Sequence, residues 1–530
     1  MLHSNIKNEA TMKLKYTFFA GLVGATMLGL TACNDSFLER NPTDALSDAS
    51  FWQNAEDAER FVAGIYVYLL EAENHTIMTD CYTDNAIPVH VTAEQGSLSA
   101  GTATSSNPHF SQVWESAYST IRRCQKYYEQ IGNVPMDEQY KAQLTAEVQF
   151  LEAFAYSHLL KFMGGVPIVD HVLQLNETMP ARSSEEDTYN HIVNLLDQAA
   201  PHLPNIRSNE DHGKPSAGAC YALKARLAFW IHKYDVAQEA AKKVMDMGVF
   251  GLYPNYNDLF QPVGEFSNEI IFDRESIEDA QYWWQRSYIN LYFGPVLASG
   301  WEALSPTQDL IDAYPCIDGL PIDESPLYDP AHPFENRDPR LGYSVLWNGS
   351  DFAGYTYTIE RMGDGSHTRT GYSMRKYINP EDFGWFYYYD WTNFIYIRYA
   401  EVLLTYAEAR NELLSSPDAA VYAAVNQVRQ RPSVDLPPLP EGLSKDEMRK
   451  AIRLERRLEF AFEGIHLFDT RSYRTTEADV TKPVYGVNPQ GERIYIETRK
   501  FNPNRDYLWA IPLTEIDLSQ GVLVQNPGWD

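Results

Sequence analysis

The sequence has few cysteines and little positive charge for its length. Its 530 residues include five cysteines, with no C-x-x-C pair and no zinc-ligand spacing. Lys and Arg number 43 against 72 Asp and Glu, a formal net charge of −29. Such an excess of negative charge repels phosphates and anionic lipid headgroups, which argues against nucleic-acid binding. The sequence neither identifies nor excludes one disulfide among Cys81, Cys124, Cys220 and Cys316.

The sequence also lacks the common catalytic signatures. It contains no H-E-x-x-H, no G-x-S-x-G, no P-loop and no dinucleotide-binding fingerprint, and its 13 histidines are scattered. We therefore predict no catalytic residue, no metal centre and no cofactor. A structural calcium ion is left open, because Asp80, Asp84, Asp323 and Glu324 could help to hold one, although solvated loops explain them equally well.

The only long apolar run lies near the N-terminus. Lys13 and Lys15 precede an uncharged, mostly apolar stretch over 16–30, which is too short to cross a bilayer and typical of an export signal. The small residues Thr31 and Ala32 then precede Cys33. We predict a lipoprotein signal over 1–32, with either Met1 or Met12 as initiator, acylation of Cys33 and a tether over 33–49, against the alternative of a plain secretory signal.

The rest of the chain is predicted to be mainly helical. Apolar residues recur at three- and four-residue steps from a cap at Ser50 to about Leu70. Residues 50–249 form a helical N-terminal part, 395–530 carry further helices and a tail, and 250–394 form an irregular lobe with short strands within one compact unit. The other predicted helices span 107–131, 139–163, 185–200, 216–232, 234–247, 396–415, 418–430 and 444–468.

Two predicted helix pairs have small residues where they would meet. In the first pair, Ala222, Ala225 and Phe229 are expected to face Ala237, Ala241 and Val244; in the second, Ala400, Leu404 and Ala407 precede Val421, Val425 and Val428. Small residues at such positions allow two helices to approach closely. The pairs resemble degenerate tetratricopeptide hairpins packed around a larger body.

A dense run of charge lies in the last long helix, with Arg453, Glu455, Arg456, Arg457, Glu459 and Glu463. A glutamate pair could in principle supply an acid and a base. Opposite charges spaced three or four residues apart also stabilise a helix and connect it to its neighbours. We favour this structural interpretation because apolar residues of a core face alternate with the charges, and we interpret the Arg398, Glu401, Glu408 and Arg410 charges in the same way.

Aromatic residues are abundant, with 35 Tyr, 24 Phe and 11 Trp. A sugar offers an apolar C–H face that a flat ring can cover and a rim of hydroxyls that carboxylates and amides can bond. Packing of loop against helix is the alternative explanation for each aromatic cluster. From composition and position we predict these ligand contacts: Tyr282, Trp283, Trp284, Tyr292 and Trp301 in the lobe; Tyr389 and Trp391 before the Arg398 helix; and Asp80, Tyr82, Asp84 and Asn85 after the first helix.

Several segments in order along the chain resemble the SusD/RagB family of Bacteroidetes outer-membrane lipoproteins. They are 33–39 with 42–44 and 51–52 at the mature start, the turn at 162–167, the helix at 398–409, the run at 455–469, and the C-terminal segments 507–512 and 526–529.

The resemblance implies a SusD-like fold of helix-hairpin repeats around an irregular lobe. It also implies a non-enzymatic, surface-exposed lipoprotein that is anchored in the outer membrane, captures an oligosaccharide and delivers it to a SusC-like TonB-dependent transporter. A peptide-binding, RagB-like protein and a surface glycosidase are the alternatives. A glycosidase would need two carboxylates about 5–10 Å apart across a cleft, and no such pair stands out in the sequence.

Overall fold

A computed structural model describes residues 51–69, 76–90, 94–174, 177–277, 286–382 and 390–529. The predicted signal, tether and Cys33 lie outside these residues, as do the Ser50 cap, Tyr282, Trp283, Trp284 and Tyr389. None of the described helices is both long and apolar enough to span a bilayer.

Helices dominate the fold, as the sequence predicted. In chain order they are α1 (Ala55–Tyr66), α2 (Glu94–Ser99), α3 (Pro108–Ile131), α4 (Glu138–Met163), α5 (Glu185–Ala199), α6 (Ala217–Trp230), α7 (Tyr234–Asp246), α8 (Tyr256–Leu259), α9 (Ile289–Phe293), α10 (Gln308–Ala313), α11 (Pro339–Ser344), α12 (Tyr399–Leu413), α13 (Ala419–Arg429), α14 (Lys445–Glu459), α15 (His466–Tyr473), α16 (Thr476–Val480) and α17 (Leu513–Leu518). Short 3₁₀ turns connect several of them.

Capping side chains lie at the start of several long helices. The Asp137 carboxylate accepts a hydrogen bond from the Tyr140 amide at the start of α4, and the Ser184 hydroxyl accepts one from the Asp187 amide at the start of α5. Ser444 and Glu447 form a reciprocal capping box at the start of α14. Such caps satisfy amides that have no partner within the helix.

Helix α7 packs against both α6 and α12, and α12 packs against α13. The small and apolar residues predicted to face one another across these pairs are buried. Three predicted boundaries were wrong. The helix expected from a cap at Ser50 begins at Ala55, and Asn54 is its N-cap. The helix expected from 396 begins at Tyr399 because the residues before it form a strand, and the helix expected to reach 468 ends at Glu459. Gly464 has φ +72°, and a Cβ there would lie 2.3 Å from Cγ2 of Thr76, so α14 cannot continue into α15.

The described strands form short antiparallel pairs rather than one sheet, and most of them lie in the lobe. The strands are β1 (Ala86–Pro88), β2 (Ile270–Arg274), β3 (Leu304–Pro306), β4 (Val345–Trp347), β5 (Asp351–Phe352), β6 (Tyr355–Thr356), β7 (Tyr372–Met374), β8 (Phe394–Arg398), β9 (Pro483–Val487) and β10 (Arg493–Thr498). The pairs are β1–β3, β2–β8, β4–β7, β5–β6 and β9–β10. The hairpin β9–β10 was not predicted.

Aromatic packing joins the lobe to the helices. The Phe154 ring of α4 lies 5.3 Å from the Phe272 ring of β2 and 5.1 Å from the Tyr396 ring of β8. These rings belong to one hydrophobic core that contains residues from all three predicted parts of the chain. The strand pair β2–β8 is thereby fixed on α4. Cys81, Cys124, Cys220 and Cys316 are buried and form no disulfide.

A buried ion network connects α14 to the lobe. Oε1 of Glu459 lies 2.7 Å from Nη1 of Arg398 and 2.9 Å from Nη2 of Arg431, and its Oε2 lies 2.9 Å from Nη1 of Arg340. Despite burial, these cations hold the pKa of Glu459 well below its usual range. The charged run of α14 thus has the predicted role of connecting the helix to its neighbours, and its ion-pair partners lie on other elements.

Candidate functional site

The lobe presents an exposed aromatic surface between α9 and β3. The indole of Trp301 is 46% exposed, and its ring centroid lies 4.9 Å from that of Tyr292 in an edge-on arrangement at 67°. Val296 and Leu297, in the turn between them, are 37% and 41% exposed. We call Tyr292, Val296, Leu297 and Trp301 the aromatic ledge.

Backbone hydrogen bonds close the ledge into a compact turn. The Trp301 amide donates to the Leu291 carbonyl over 2.7 Å, and the Ala303 amide donates to the Tyr292 carbonyl over 2.8 Å. The chain passes so close to itself that a Cβ on Gly300 would lie 2.2 Å from the Gly294 carbonyl oxygen. The rings are therefore held in place by main-chain geometry and are not carried on a loose loop.

Glu302, the residue after Trp301, points into the protein. Its side chain is buried, with Oε1 accepting from the Tyr357 hydroxyl over 2.8 Å and Oε2 from the Thr368 amide over 2.8 Å. Burial raises the pKa of Glu302, which these donors partly oppose. Trp301 points outward and Glu302 points inward, so the buried Glu302 anchors the exposed indole to the protein interior.

The structure brings Asp390, the residue before the predicted contact Trp391, next to this segment. The Ser287 amide donates to the Asp390 carbonyl over 3.1 Å, and the Asn290 amide donates to Oδ2 of Asp390 over 2.7 Å. Trp391, which follows, is half-buried. The loops before α9 and before β8 are thus joined by the buried Asp390 carboxylate. The two segments are about a hundred residues apart along the chain, so the sequence does not show that they are close in space.

The polar residues predicted after the first helix lie inside the protein. Oδ1 of Asp84 lies 2.8 Å from Nε2 of His466, and its Oδ2 lies 2.9 Å from Nη2 of Arg457. Asn85 donates to Oδ1 of Asp80 over 2.8 Å and accepts from Nε of Arg457 over 2.9 Å.

Ligand contact by these polar residues would require them to leave their internal partners. Burial raises the pKa of Asp80, whereas Arg457 and His466 outweigh burial and hold the pKa of Asp84 well below its usual range. The Tyr82 ring is buried and packs edge-on to Trp509 at 6.0 Å. This segment therefore helps to position the β1–β3 strand pair, because it packs against β1.

The ledge has the chemistry of a stacking surface. An indole with a free face beside a tyrosine ring and aliphatic side chains can cover the apolar face of a flat ligand. The nearby carboxylates of Glu302 and Asp390 are buried and bonded to internal donors, so neither faces the ledge as an acid or base. Within the described ranges, no three His, Cys, Asp or Glu side chains are grouped so that they could hold a metal ion.

Sequence reasoning identified Tyr292 and Trp301 but did not single out Val296 and Leu297. The run Pro295-Val296-Leu297 has the composition of a core segment, and only its position in a turn exposes it. The signal that the sequence offers for such a ledge is a pair of apolar residues followed by Ser299 and Gly300 and then by a tryptophan.

Comparison with protein-family models gives two matches that together span most of the chain. A model described as "Starch-binding associating with outer membrane" matches residues 36–229, and one described as "SusD family" matches residues 268–529.

Solved structures and curated relatives agree with these matches. A SusD-like carbohydrate-binding protein from Bacteroides fragilis is 25% identical with a TM-score of 0.82, covering 89% of this chain and 99% of its own. A SusD-like protein from the same species is 29% identical with a TM-score of 0.81, covering 92% and 100%. SusD-like protein P38 of Formosa agariphila is 26% identical, covering 91% of this chain and 97% of its own.

Proposed function

The chain belongs to the SusD/RagB family, and from this premise we propose that it binds an oligosaccharide at the aromatic ledge without altering it. The observation that carries the proposal is the Trp301 indole, 46% exposed and braced edge-on by Tyr292. A free indole face on a rigid surface suits the apolar face of a sugar ring. A related structure bears the name of a carbohydrate-binding protein, and another that of a laminarin-binding protein, which agrees with a glycan as ligand.

The proposal places the protein at the cell surface. Acylation of Cys33 would anchor it in the outer membrane, since several acyl chains give stable attachment where one gives only marginal binding. From there it would deliver the captured glycan to a SusC-like TonB-dependent transporter. The matched model's description as starch-binding and associating with the outer membrane supports this location.

Capture without catalysis follows from how the nearby carboxylates are used. Glycoside hydrolysis needs a pair of carboxyl groups that reach the same glycosidic bond. Glu302 and Asp390, the carboxylates adjoining the predicted aromatic residues, are buried and accept hydrogen bonds from Thr368 and Asn290. We therefore favour a binding protein over a surface glycosidase.

The test is calorimetry of the mature protein against a panel of oligosaccharides. Trp301→Ala should weaken binding about tenfold or more, roughly 1.4 kcal/mol, without changing the melting temperature. Tyr495→Ala is the matched control, because Tyr495 is a 58% exposed aromatic residue of the β9–β10 hairpin and is not one of the ledge residues. Equal loss in both variants, or undiminished binding in Trp301→Ala, would contradict the assignment of the ledge.

A further inference from the structure

A large cleft separates the N-terminal helices from the end of β2. Its volume is about 710 Å³. Tyr66 of α1 and Tyr140 of α4 lie on one side, and on the other are His212 and the segment that follows β2. None of the ledge residues lines it. We call this space the β2 cleft.

Carboxylates without a Lys or Arg partner gather at one end of the β2 cleft. Nδ1 of His212 lies 3.4 Å from Oδ1 of Asp273 and 3.6 Å from Oε1 of Glu275. In the part of the chain that the structure describes, His212 is the one basic side chain within ion-pair distance of either acid. Asn393 connects a third acid, Glu265, to Asp273. Its backbone amide donates to Oε1 of Glu265 and its side-chain amide donates to Oδ2 of Asp273, both over 3.3 Å.

Besides Nδ1 of His212, buried polar atoms of two further wall residues have no hydrogen-bond partner among the described residues. One is Oδ1 of Asp273, whose side chain is 1% exposed. The other is Nη2 of Arg207, whose side chain is 6% exposed; its nearest carboxylate oxygen, Oε2 of Glu147, lies 3.7 Å away. A buried acceptor or donor that is left without a partner destabilises the protein, because it has lost its hydrogen bonds to water. Both atoms line the β2 cleft, where a ligand could bond them.

From this arrangement we propose that the β2 cleft binds a ligand carrying a primary ammonium or guanidinium group. The cation would lie against Asp273 and Glu275, and Arg207 would donate to a hydroxyl or carbonyl oxygen elsewhere on the ligand. The rings of Tyr66 and Tyr140 are placed to cover its hydrocarbon part. An amino sugar and a lysine- or arginine-containing peptide share this chemistry.

Anionic ligands and metal ions fit the β2 cleft less well than an organic cation does. Among the described residues that line the cleft, Lys214 is paired with Asp211 over 2.6 Å, and Arg60 lies on the exposed face of α1 beside Glu56 and Asp57. Nη2 of Arg274 donates to the Arg286 carbonyl over 2.9 Å, so these side chains do not form a free cluster of cations for an anion. The carboxylates are not grouped tightly enough for a metal ion in the described ranges. An organic cation needs only one or two oxygens at hydrogen-bond distance.

Binding of a cation here should release protons. Burial raises the pKa of Asp273 to about 7, and the neighbouring carboxylate of Glu275 adds to the rise while His212 opposes it. For His212 itself, burial lowers the pKa, but Glu275 and Asp273 outweigh it and raise the pKa above its usual value. A ligand cation favours the ionised carboxylate, so affinity should increase between pH 6 and pH 8.

The experiment is calorimetry of the mature protein at 150 mM salt with four probes. Two are charged, a glucosamine tetramer and a Lys-Ala-Lys peptide; two are their N-acetylated counterparts, in which the amines carry no charge. We expect one-to-one binding of at least one charged probe, about tenfold tighter than its acetylated form. Binding of only the sugar or only the peptide identifies the source of the cation. The lysine side-chain amines of the peptide stay charged to pH 8, so the pH series uses the peptide if it binds.

Variants decide whether the β2 cleft is responsible. Asp273→Asn should weaken binding of the charged probe about tenfold, and Asp246→Asn, which removes an equal charge from an exposed pair with Lys242, should not. If Asp273→Asn does not fold, Glu275→Gln replaces it in the test, because the Glu275 side chain is 42% exposed.

Equal affinity for charged and acetylated probes, no binding of either charged probe, or equal losses in the cleft variant and Asp246→Asn would overturn the proposal. Trp301→Ala should leave binding of the charged peptide unchanged, so failure of the glycan proposal at the ledge would be distinguishable from failure here.

Discussion

The guanidinium of Arg398, at the end of β8, lies 2.7 Å from the carboxylate of Glu459, at the end of α14, and neither side chain is more than 1% exposed. The Glu459 carboxylate also meets Arg431 and Arg340, so three cations surround one acid. A carboxylate held in this way has no access to solvent or ligand. The network instead fixes α14, α11 and β8 in one relative position.

Glu459→Gln tests how far the fold depends on this network. The substitution keeps the side-chain shape but leaves three buried guanidinium groups with one fewer negative charge. We expect the free energy of unfolding to fall by about 3–5 kcal/mol, as when one partner of a buried ion pair is removed. Urea denaturation measures the change. Asp246→Asn, in an exposed pair, should cost less than about 1 kcal/mol, and a similarly small loss for Glu459→Gln would contradict the structural role.

How much of this could be predicted from sequence depends on the distance between partners. Helix periodicity placed most helices, because its signals lie within a few residues of one another. The charged run of α14 was correctly interpreted as structural, but its partners Arg340 and Arg398 could not be named. They lie 119 and 61 residues away from Glu459, and their contact arises only when β8 and α11 pack on α14.

The candidate site shows the same limit. Trp301 and Asp84 were both predicted from composition and position, yet one is 46% exposed and the other is buried against Arg457 and His466. A polar segment after a helix is typical of both a ligand loop and a buried polar junction. Only the tertiary partners of Asp84, contributed by α14 and α15, distinguish the two.

Asp84 should make the protein sensitive to acid. Its pKa in the folded state is held well below its usual value, so its contribution to stability is fully present above the unfolded pKa of about 3.9. That contribution is lost as the pH falls further. We expect Asp84→Asn to lower the free energy of unfolding at pH 7 and to lose less stability than the parent between pH 5 and pH 3. Urea titrations at each pH measure this, and parallel pH profiles would contradict it.

Asp273 should have the opposite dependence. Burial raises its folded-state pKa to about 7, so its stabilising protonated form is fully present below the unfolded pKa of about 3.9 and is lost as the pH rises towards 7. His212, with a raised pKa, changes stability in the same direction. Asp273→Asn should therefore be at least as stable as the parent at pH 8, with a flatter profile between pH 4 and pH 7. A less stable variant at pH 8 with an unchanged profile would refute this.

Acylation of Cys33 predicts how the expressed protein partitions. In a host with lipoprotein-processing enzymes, the full chain should enter the detergent phase and carry a diacylglycerol mass on an N-terminal cysteine, because several acyl chains bind membranes stably. Cys33→Ser should move the protein to the aqueous phase. Intact mass spectrometry checks both results, and a mature N-terminus at another residue would favour the plain secretory signal.

The ledge itself can be disturbed without touching an aromatic ring. Gly300→Ala places a methyl group about 2.2 Å from the Gly294 carbonyl oxygen, and the backbone must move to relieve the contact. Because Trp301 follows directly and its amide bonds the Leu291 carbonyl, the indole should shift relative to Tyr292. We expect weaker binding of the glycan, by about tenfold, with a small loss of stability. Gly132→Ala is the matched control, since a Cβ there meets nothing within 4 Å. If Gly300→Ala binds glycan as the parent does and Trp301→Ala does not, the indole acts without the rigid turn, and the claim that main-chain geometry positions the ring would have to be withdrawn.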